Sequence, residues 1–208
     1  MRTATLPLAT PAARKGARTR EVILATAVNL ASRVGLEGLS IGTLADELRL
    51  SKSGLFAHFK SKEHLQYEVL STARTLFIAL VAAPALKAPR GEPRVRALFD
   101  RWLDWSQADF MQGGCLFVTA SIEFDDRPGA LRDFLVESQR EWLATLARAA
   151  RVATEEGHFR ADLDPDQFAH EMYGAGLAYY HATRLLRDPK APLRARQSLE
   201  NLIALARA

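Results

Sequence analysis

The chain has 208 residues, 48% of them hydrophobic and 25% charged, with a net charge of +4. That balance belongs to an ordinary globular protein with room for one compact core or a small domain docked on a larger one. No apolar run approaches the roughly 20 residues needed to cross a bilayer. The single cysteine, Cys115, excludes an internal disulfide framework and a cysteine-based metal cluster.

The charge is unevenly spread. Met1 to Lys62 holds ten Lys or Arg against four acids, a net of +6, which leaves −2 for the remainder. A basic first third on a slightly acidic body points to a polyanion as the partner of the N-terminal part. Residues 1–17, rich in Ala, Thr and Pro with Arg2, Arg14 and Lys15, have no continuous apolar segment and no signal-peptide cleavage site. They read as a disordered basic arm on a cytoplasmic protein.

From Arg18 onward helical spacing dominates. Ile23, Ala27, Leu30, Ala31 and Val34 predict a first helix that Gly35 stops. Ser40 caps a short second helix with Ile41, Leu44, Ala45 and Leu48 inward, and Ser51 caps a third that runs to about Phe59. Ser61 caps a fourth carrying Leu65, Val69, Leu76 and Leu80. The Pro- and Gly-bearing stretch Lys87 to Pro93 interrupts the chain. Beyond it, helices are expected from Pro93 to about Asp109, from Cys115 to Phe124, from Gly129 to Gly157, from Pro165 to about Leu186, and over Leu199 to Ala206. No run alternates convincingly as strand. The fold class is therefore all-α: a three-helix helix-turn-helix domain at 18–65, then a helical bundle at 66–208.

The segment from Ser40 to Lys62 sets two very short helices about a turn at Arg49 to Ser51. Helices so short do not persist alone and must be held by packing; Leu44, Ala45, Leu48, Leu50, Leu55 and Phe59 supply it. What faces outward on the later helix is small or basic: Lys52, Ser53, Gly54 and Ala57. A helix entering a DNA major groove needs that surface, since bulky or acidic residues would clash or be repelled by phosphate.

This segment, with its aromatic-x-His-Phe-x-x-Lys run (Phe56, His58, Phe59, Lys62) leading into the fourth helix, closely resembles the DNA-binding domain of TetR-type regulators over residues from about 20 to 70. The resemblance implies a homodimer on a palindromic operator of double-stranded DNA, with repression relieved when a small molecule binds the second domain. Residue by residue it assigns Lys52, Ser53 and Gly54 to the tip of the recognition helix, Phe56 and His58 to its flank, Lys62 to a phosphate at the start of helix four, and Ser40 and Thr43 to the start of helix two. Three positions depart from the pattern. Phe56 lacks the usual tyrosine hydroxyl, Gly42 stands where relatives often carry a base-reading Arg, and Arg49 replaces the usual turn glycine, at a strain of roughly 1 kcal/mol if the backbone there is left-handed.

A regulator's second domain needs an apolar cavity with a few polar groups. Trp102, Trp105, Phe117, Ser121, Phe124, Trp142, Phe168 and Tyr173 are the candidates, for an aromatic or acyl effector. A dimer interface is expected on Met172, Ala175, Gly176 and Tyr179 of one helix and Leu199, Leu202 and Ile203 of the last. Cys115 reads as a small buried hydrophobe. A catalytic alternative would use Glu123 and Asp125 or the His170/His181 pair, but the carboxylates sit at a helix junction and the two histidines are too distant for shared ligation. No catalytic residue, metal or cofactor is expected. The other alternative is a regulator controlled by a protein partner, which a tightly filled second domain would favour.

Overall fold

The computed structural model describes residues 11–208, with side chains from residue 19 onward. Residues 1–10 of the expected arm lie outside the described residues, whereas 11–17 are already helical. Helix α1 spans Pro11–Val34, so it starts earlier than the apolar spacing indicates. Ile23, Ala27, Val28 and Ala31 bury one face of it, and Gly35, at φ +81, turns the chain out.

Helix α2 (Ile41–Leu48) opens on a capping box in which Ser40 Oγ accepts from Thr43 N at 3.0 Å and Thr43 Oγ1 accepts from Ser40 N at 2.9 Å. Arg49 closes it in the left-handed conformation, φ 55 and ψ 39, where its N–H reaches the carbonyls of Ala45 and Asp46. Helix α3 (Lys52–Phe56), capped by Ser51, has only five residues and stops short of the expected Phe59. Phe59 nevertheless inserts fully into the core beside Leu44, Leu55 and Leu65. Helix α1 packs on α2 and on α4, and α2 on α3.

Helix α4 (Lys62–Phe77) continues without a break through a π-helical turn at Ile78–Ala82 into a last turn, α5 (Ala83–Ala85). The expected domain boundary at residue 65 thus falls inside one rod of 24 residues whose apolar window has a mean hydropathy of 1.4, long and apolar enough to cross a membrane by composition. That qualifies the sequence expectation, which missed it because Arg74 and the hydroxyls of Ser71, Thr72 and Thr75 break the apolar run. In the fold the rod packs on α1 and α8, and its π turn on α6.

The second domain comprises α6 (Glu92–Trp105), a 3-10 turn at Asp109–Met111, α7 (Leu116–Phe124), α8 (Ala130–Glu155), α9 (Pro165–Arg184) and α10 (Ala191–Ala206). Helix α8, about 39 Å long at 1.5 Å per residue, packs on α6, α7 and α9, and α10 lies on α9. Among the described residues the only β pairing is an isolated bridge between Phe159 and Arg207. It ties the chain end to the α8–α9 turn. There Glu92 bonds Arg96 Nε at 2.9 Å and Arg207 Nη2 at 2.8 Å, while its N–H donates to His158 Nδ1 at 3.1 Å.

The residues expected to form an interface on α9 and α10 are largely covered within the protomer. Met172, Gly176, Tyr179, Leu199 and Ile203 are buried in the protomer's own core, and Ala175 and Leu202 are half-buried against it. A Cβ at Gly176 would stand 1.9 Å from Trp102, so its close approach serves α6 of the same chain. The apolar stripes pack on each other, with α8 and α6 covering α9 and α6 also meeting α10. Outward, the two helices present Glu171, Gly174, Ala178 and Leu185, and Leu193, Gln197, Asn201 and Leu205.

Candidate nucleic-acid interface and ligand cavity

Lys52, Ser53, Gly54 and Phe56 all stand exposed on α3, with Phe56 at 55% exposure despite its apolar ring. Only Leu55 of that helix is buried, so the five-residue helix is anchored by one side chain and offers the rest to its surroundings. Ser53 Oγ donates to the capping Ser51 Oγ at 3.3 Å. A Cβ at Gly42 would lie 3.6 Å from Lys52 Cε and 3.7 Å from its Nζ. A Cβ at position 42 would therefore rest in ordinary contact against the Lys52 stem. Ser40 and Thr43 spend their side chains on the α2 cap.

His58 is half-buried beside the Phe59 ring, at 6.3 Å between centroids. Lys62 is exposed at the start of α4, behind the Ser61 cap, but Nζ is held by Glu37 Oε1 at 3.0 Å. Glu37 also meets Arg127 Nη1 at 3.2 Å. The Lys62 hydrogen bond, aided by both positive charges, holds the Glu37 carboxyl below its ordinary range. Sequence reasoning found Lys62 and missed Glu37, which shares no helix with it.

The cavity lies between α4, α6, α7, α8 and α9. It has a volume of about 90 Å³, and Trp102, Phe117, Trp142 and Tyr173 line it, four of the eight expected residues. Trp102 stacks on Tyr173, with centroids 5.4 Å apart and planes at 9°. Tyr173 OH donates to Gln139 Oε1 at 2.9 Å, and Gln139 Nε2 donates to Ser121 Oγ at 3.0 Å. Ser121 thus acts through Gln139 and does not itself line the wall. Burial pushes the Tyr173 hydroxyl up to about 12, so it remains a donor at any physiological pH.

Trp105, Phe124 and Phe168 are core residues outside the lining: Trp105 meets Phe77 edge-on at 5.3 Å, Phe124 lies under Arg127 at 5.6 Å, and Phe168 packs on Phe159 at 5.2 Å. Phe77, the ring at the centre of the aromatic cluster, is not among the expected lining residues: for the fourth helix the spacing predicts only Leu65, Val69, Leu76 and Leu80 as the apolar face. The buried Trp142 Nε1 has no acceptor among the described residues. Cys115 lines the cavity, and burial pushes its thiol up, which keeps it protonated and poorly nucleophilic.

Helix α7 joins the two sites. At its approach, Gln112 N donates to Asn29 Oδ1 at 3.0 Å and Gly113 N to Ser32 Oγ at 2.9 Å, both on α1. Near its end, Glu123 Oε2 accepts from Glu37 N at 2.9 Å, and a Cβ at Gly35 would lie 2.0 Å from Glu123 Oε1. Between these ends, Phe117 and Val118 form cavity wall. Glu123 is thereby a structural acceptor at the domain junction, and Asp125 accepts from the next residue's N–H at 2.9 Å. Among the described residues no group of His, Cys, Asp or Glu is arranged to hold a metal ion.

Comparison with known proteins agrees with both halves. The model described as bacterial regulatory proteins, tetR family, matches residues 23–69, and that of the tetracyclin repressor-like C-terminal domain matches residues 91–199. No curated protein matches the chain. Among solved structures, a TetR transcriptional regulator from Chloroflexus aurantiacus is 24% identical over 92% of this chain and 95% of its own, with a TM-score of 0.81. A TetR-family regulator from Cytophaga hutchinsonii is 21% identical over 98% and 99%, with a TM-score of 0.83. AibR, in complex with isovaleryl coenzyme A and operator DNA, is 21% identical over 89% and 96%, with a TM-score of 0.67. With a family model spanning more than half of its length and a second over its helix-turn-helix, the chain belongs to the TetR family of DNA-binding transcriptional regulators.

Proposed function

We propose that the chain is a homodimeric repressor that leaves a palindromic operator when a small apolar or aromatic effector enters the cavity of its C-terminal domain. The observation that carries this reading is the double attachment of α7: its first turn is cavity wall, the loop that leads into it is hydrogen-bonded to α1, and Glu123 near its end is hydrogen-bonded to the turn that follows α1. A ligand that displaces Phe117 or Val118 moves α7 as a unit. The turn at Gly35 to Glu37 and the end of α1 follow it. Two recognition helices in one dimer must stay about 34 Å apart to enter successive major grooves, so a small rotation of each domain ends the fit.

On the DNA side, Lys52 and Ser53 read base edges, Gly54 lets the backbone approach closely, Phe56 meets a thymine methyl, and His58, Lys62 and the α2 N-terminus hold phosphate. The partner protomer sits on the outward faces of α9 and α10, where Gly174 and Ala178 permit close approach and Leu185, Leu193 and Leu205 stand exposed. AibR, of the same fold, was captured with isovaleryl coenzyme A and operator DNA together, which supports a fold that binds both a small molecule and an operator. The cavity favours this over control by a protein partner alone.

The test is to select bound DNA from a random pool and measure affinity for the winner by fluorescence anisotropy against salt. Lys62→Ala should weaken binding to every sequence and lower the log–log salt slope by about 1. An unchanged slope removes Lys62 from the phosphate site, and failure to enrich any sequence refutes the operator reading.

A further inference from the structure

The cavity is open at its outer end. Ile78, Glu141 and Thr145 line both it and a larger groove of about 420 Å³, whose other walls include Leu86, Arg94, Arg148 and Val152. Along α8 the two run from Ser138 to Val152, about 21 Å of helix at 1.5 Å per residue. Together they form one elongated site with a small inner end and a wide outer one.

The two ends differ chemically. The inner end is aromatic-walled, and at about 90 Å³ it is smaller than the roughly 150 Å³ apolar cavity that admits benzene. The inner end therefore fits a short acyl chain more closely than a ring. Arg74, at the boundary, is neutralised by Glu141 at 2.5 Å and Glu137 at 3.8 Å. The outer groove holds the uncommitted positive charge. Arg148 is exposed and makes no hydrogen bond or ion pair with any described residue. Arg94 is half-buried and donates Nε and Nη2 to Ala88 O, which leaves Nη1 without a partner among the described residues.

We propose that the effector is a short-chain acyl thioester of a phosphate-bearing carrier. The acyl head occupies the inner cavity, the thin linker passes Thr145, and phosphate is met by Arg148 and Arg94. This rests on the effector reading above and adds the charged outer half. A free short acid would leave the groove empty and set its carboxylate beside an already neutralised Arg74. A long-chain acid would overfill the inner end.

Isothermal titration of the full chain with butyryl-coenzyme A, coenzyme A, butyrate and dodecanoate decides the matter. Butyryl-coenzyme A should bind at least about tenfold more tightly than any of the other three and release operator DNA. Arg148→Ala should weaken it by about tenfold or more, whereas Arg151→Ala, an exposed cation on α8 outside the groove, should not. Equal binding of dodecanoate, or equal losses in the two variants, overturns the proposal. Should only neutral apolar compounds release the operator, the charged tail is refuted and the effector cavity stands. Should no compound in a broad screen release it, the effector reading itself fails.

Discussion

Replacing Gly113 by alanine tests the joint between the domains. Its Cβ would stand 1.7 Å from Ser32 O, 1.9 Å from Ser32 C and 2.5 Å from Arg33 N. All three are backbone atoms of α1, so no rotamer change relieves the overlap. Restoring an ordinary 3.4 Å contact to Ser32 O requires the loop and the helix to separate by about 1.7 Å. That movement breaks the bonds from Gly113 N to Ser32 and from Gln112 N to Asn29. Two such bonds are worth about 1 kcal/mol each and overpacking costs about 1–3 kcal/mol. A loss of about 3–5 kcal/mol lowers the melting temperature of a chain this size by roughly 6–20 °C. Gly113 has no positive φ, so backbone strain adds nothing to this figure. Differential scanning calorimetry reads the shift, and operator titration with and without effector reads the coupling. A melting temperature within about 2 °C of the parent, or full effector response in the variant, would refute the reasoning.

Other perturbations read other parts of the molecule. Glu37→Gln should free Lys62 from its ion pair and tighten operator binding at low salt, measured by anisotropy; weaker binding would show that the pair orders Lys62 for DNA. Arg49→Gly should relieve a left-handed strain of about 1 kcal/mol, less the roughly 0.4–1 kcal/mol that glycine's unfolded-chain freedom takes back; calorimetry showing a clear loss of stability would contradict the strain at φ 55. Gly174→Ala has open space in the protomer and should still weaken the dimer in sedimentation, whereas unchanged association would take Gly174 out of the seam. The Arg207 hydrogen bond, with Arg96, lowers the Glu92 carboxyl from 4.5 to about 2. Its stabilising contribution is therefore complete above about 4.5 and disappears as pH falls toward 2; Glu92→Gln should flatten stability against pH across that window, and an unaltered acid limb would refute the linkage.

The helix-turn-helix was legible because its signals are local. Ser40, Ser51 and Ser61 each cap the helix that follows within three residues, and the inward set Leu44, Leu55 and Phe59 is imposed by helical spacing. The cavity was half legible. Aromatic residues announce burial but not which neighbour they are buried against, so Trp102 and Trp142 reached the cavity while Phe168 reached Phe159. The apolar stripes of α9 and α10 were read as apolar faces and assigned to a partner protomer; within the chain they are covered by each other and by α6 and α8. Periodicity gives a face and not its occupant. Gly113 was legible as a helix junction but not as a contact with α1, while Glu37 and the π turn at Ile78–Ala82 left no sequence signal, since they depend on contacts between distant segments or on one extra residue in a helical turn.

The aromatic cluster also gives the protein an optical asymmetry. All three tryptophans, Trp102, Trp105 and Trp142, belong to the second domain, and two of them, Trp105 and Trp142, meet Phe77 edge-on at 5.3 and 4.9 Å. The helix-turn-helix contains none. Tryptophan emission therefore originates wholly in the second domain, with two of the three indoles at the cavity wall and all three shielded from water to within 7% exposure. Polarity changes there alter the spectrum directly. Events at the DNA surface alter it only through what α7 transmits, so an unlabelled molecule reports the coupling of its two sites by its own colour.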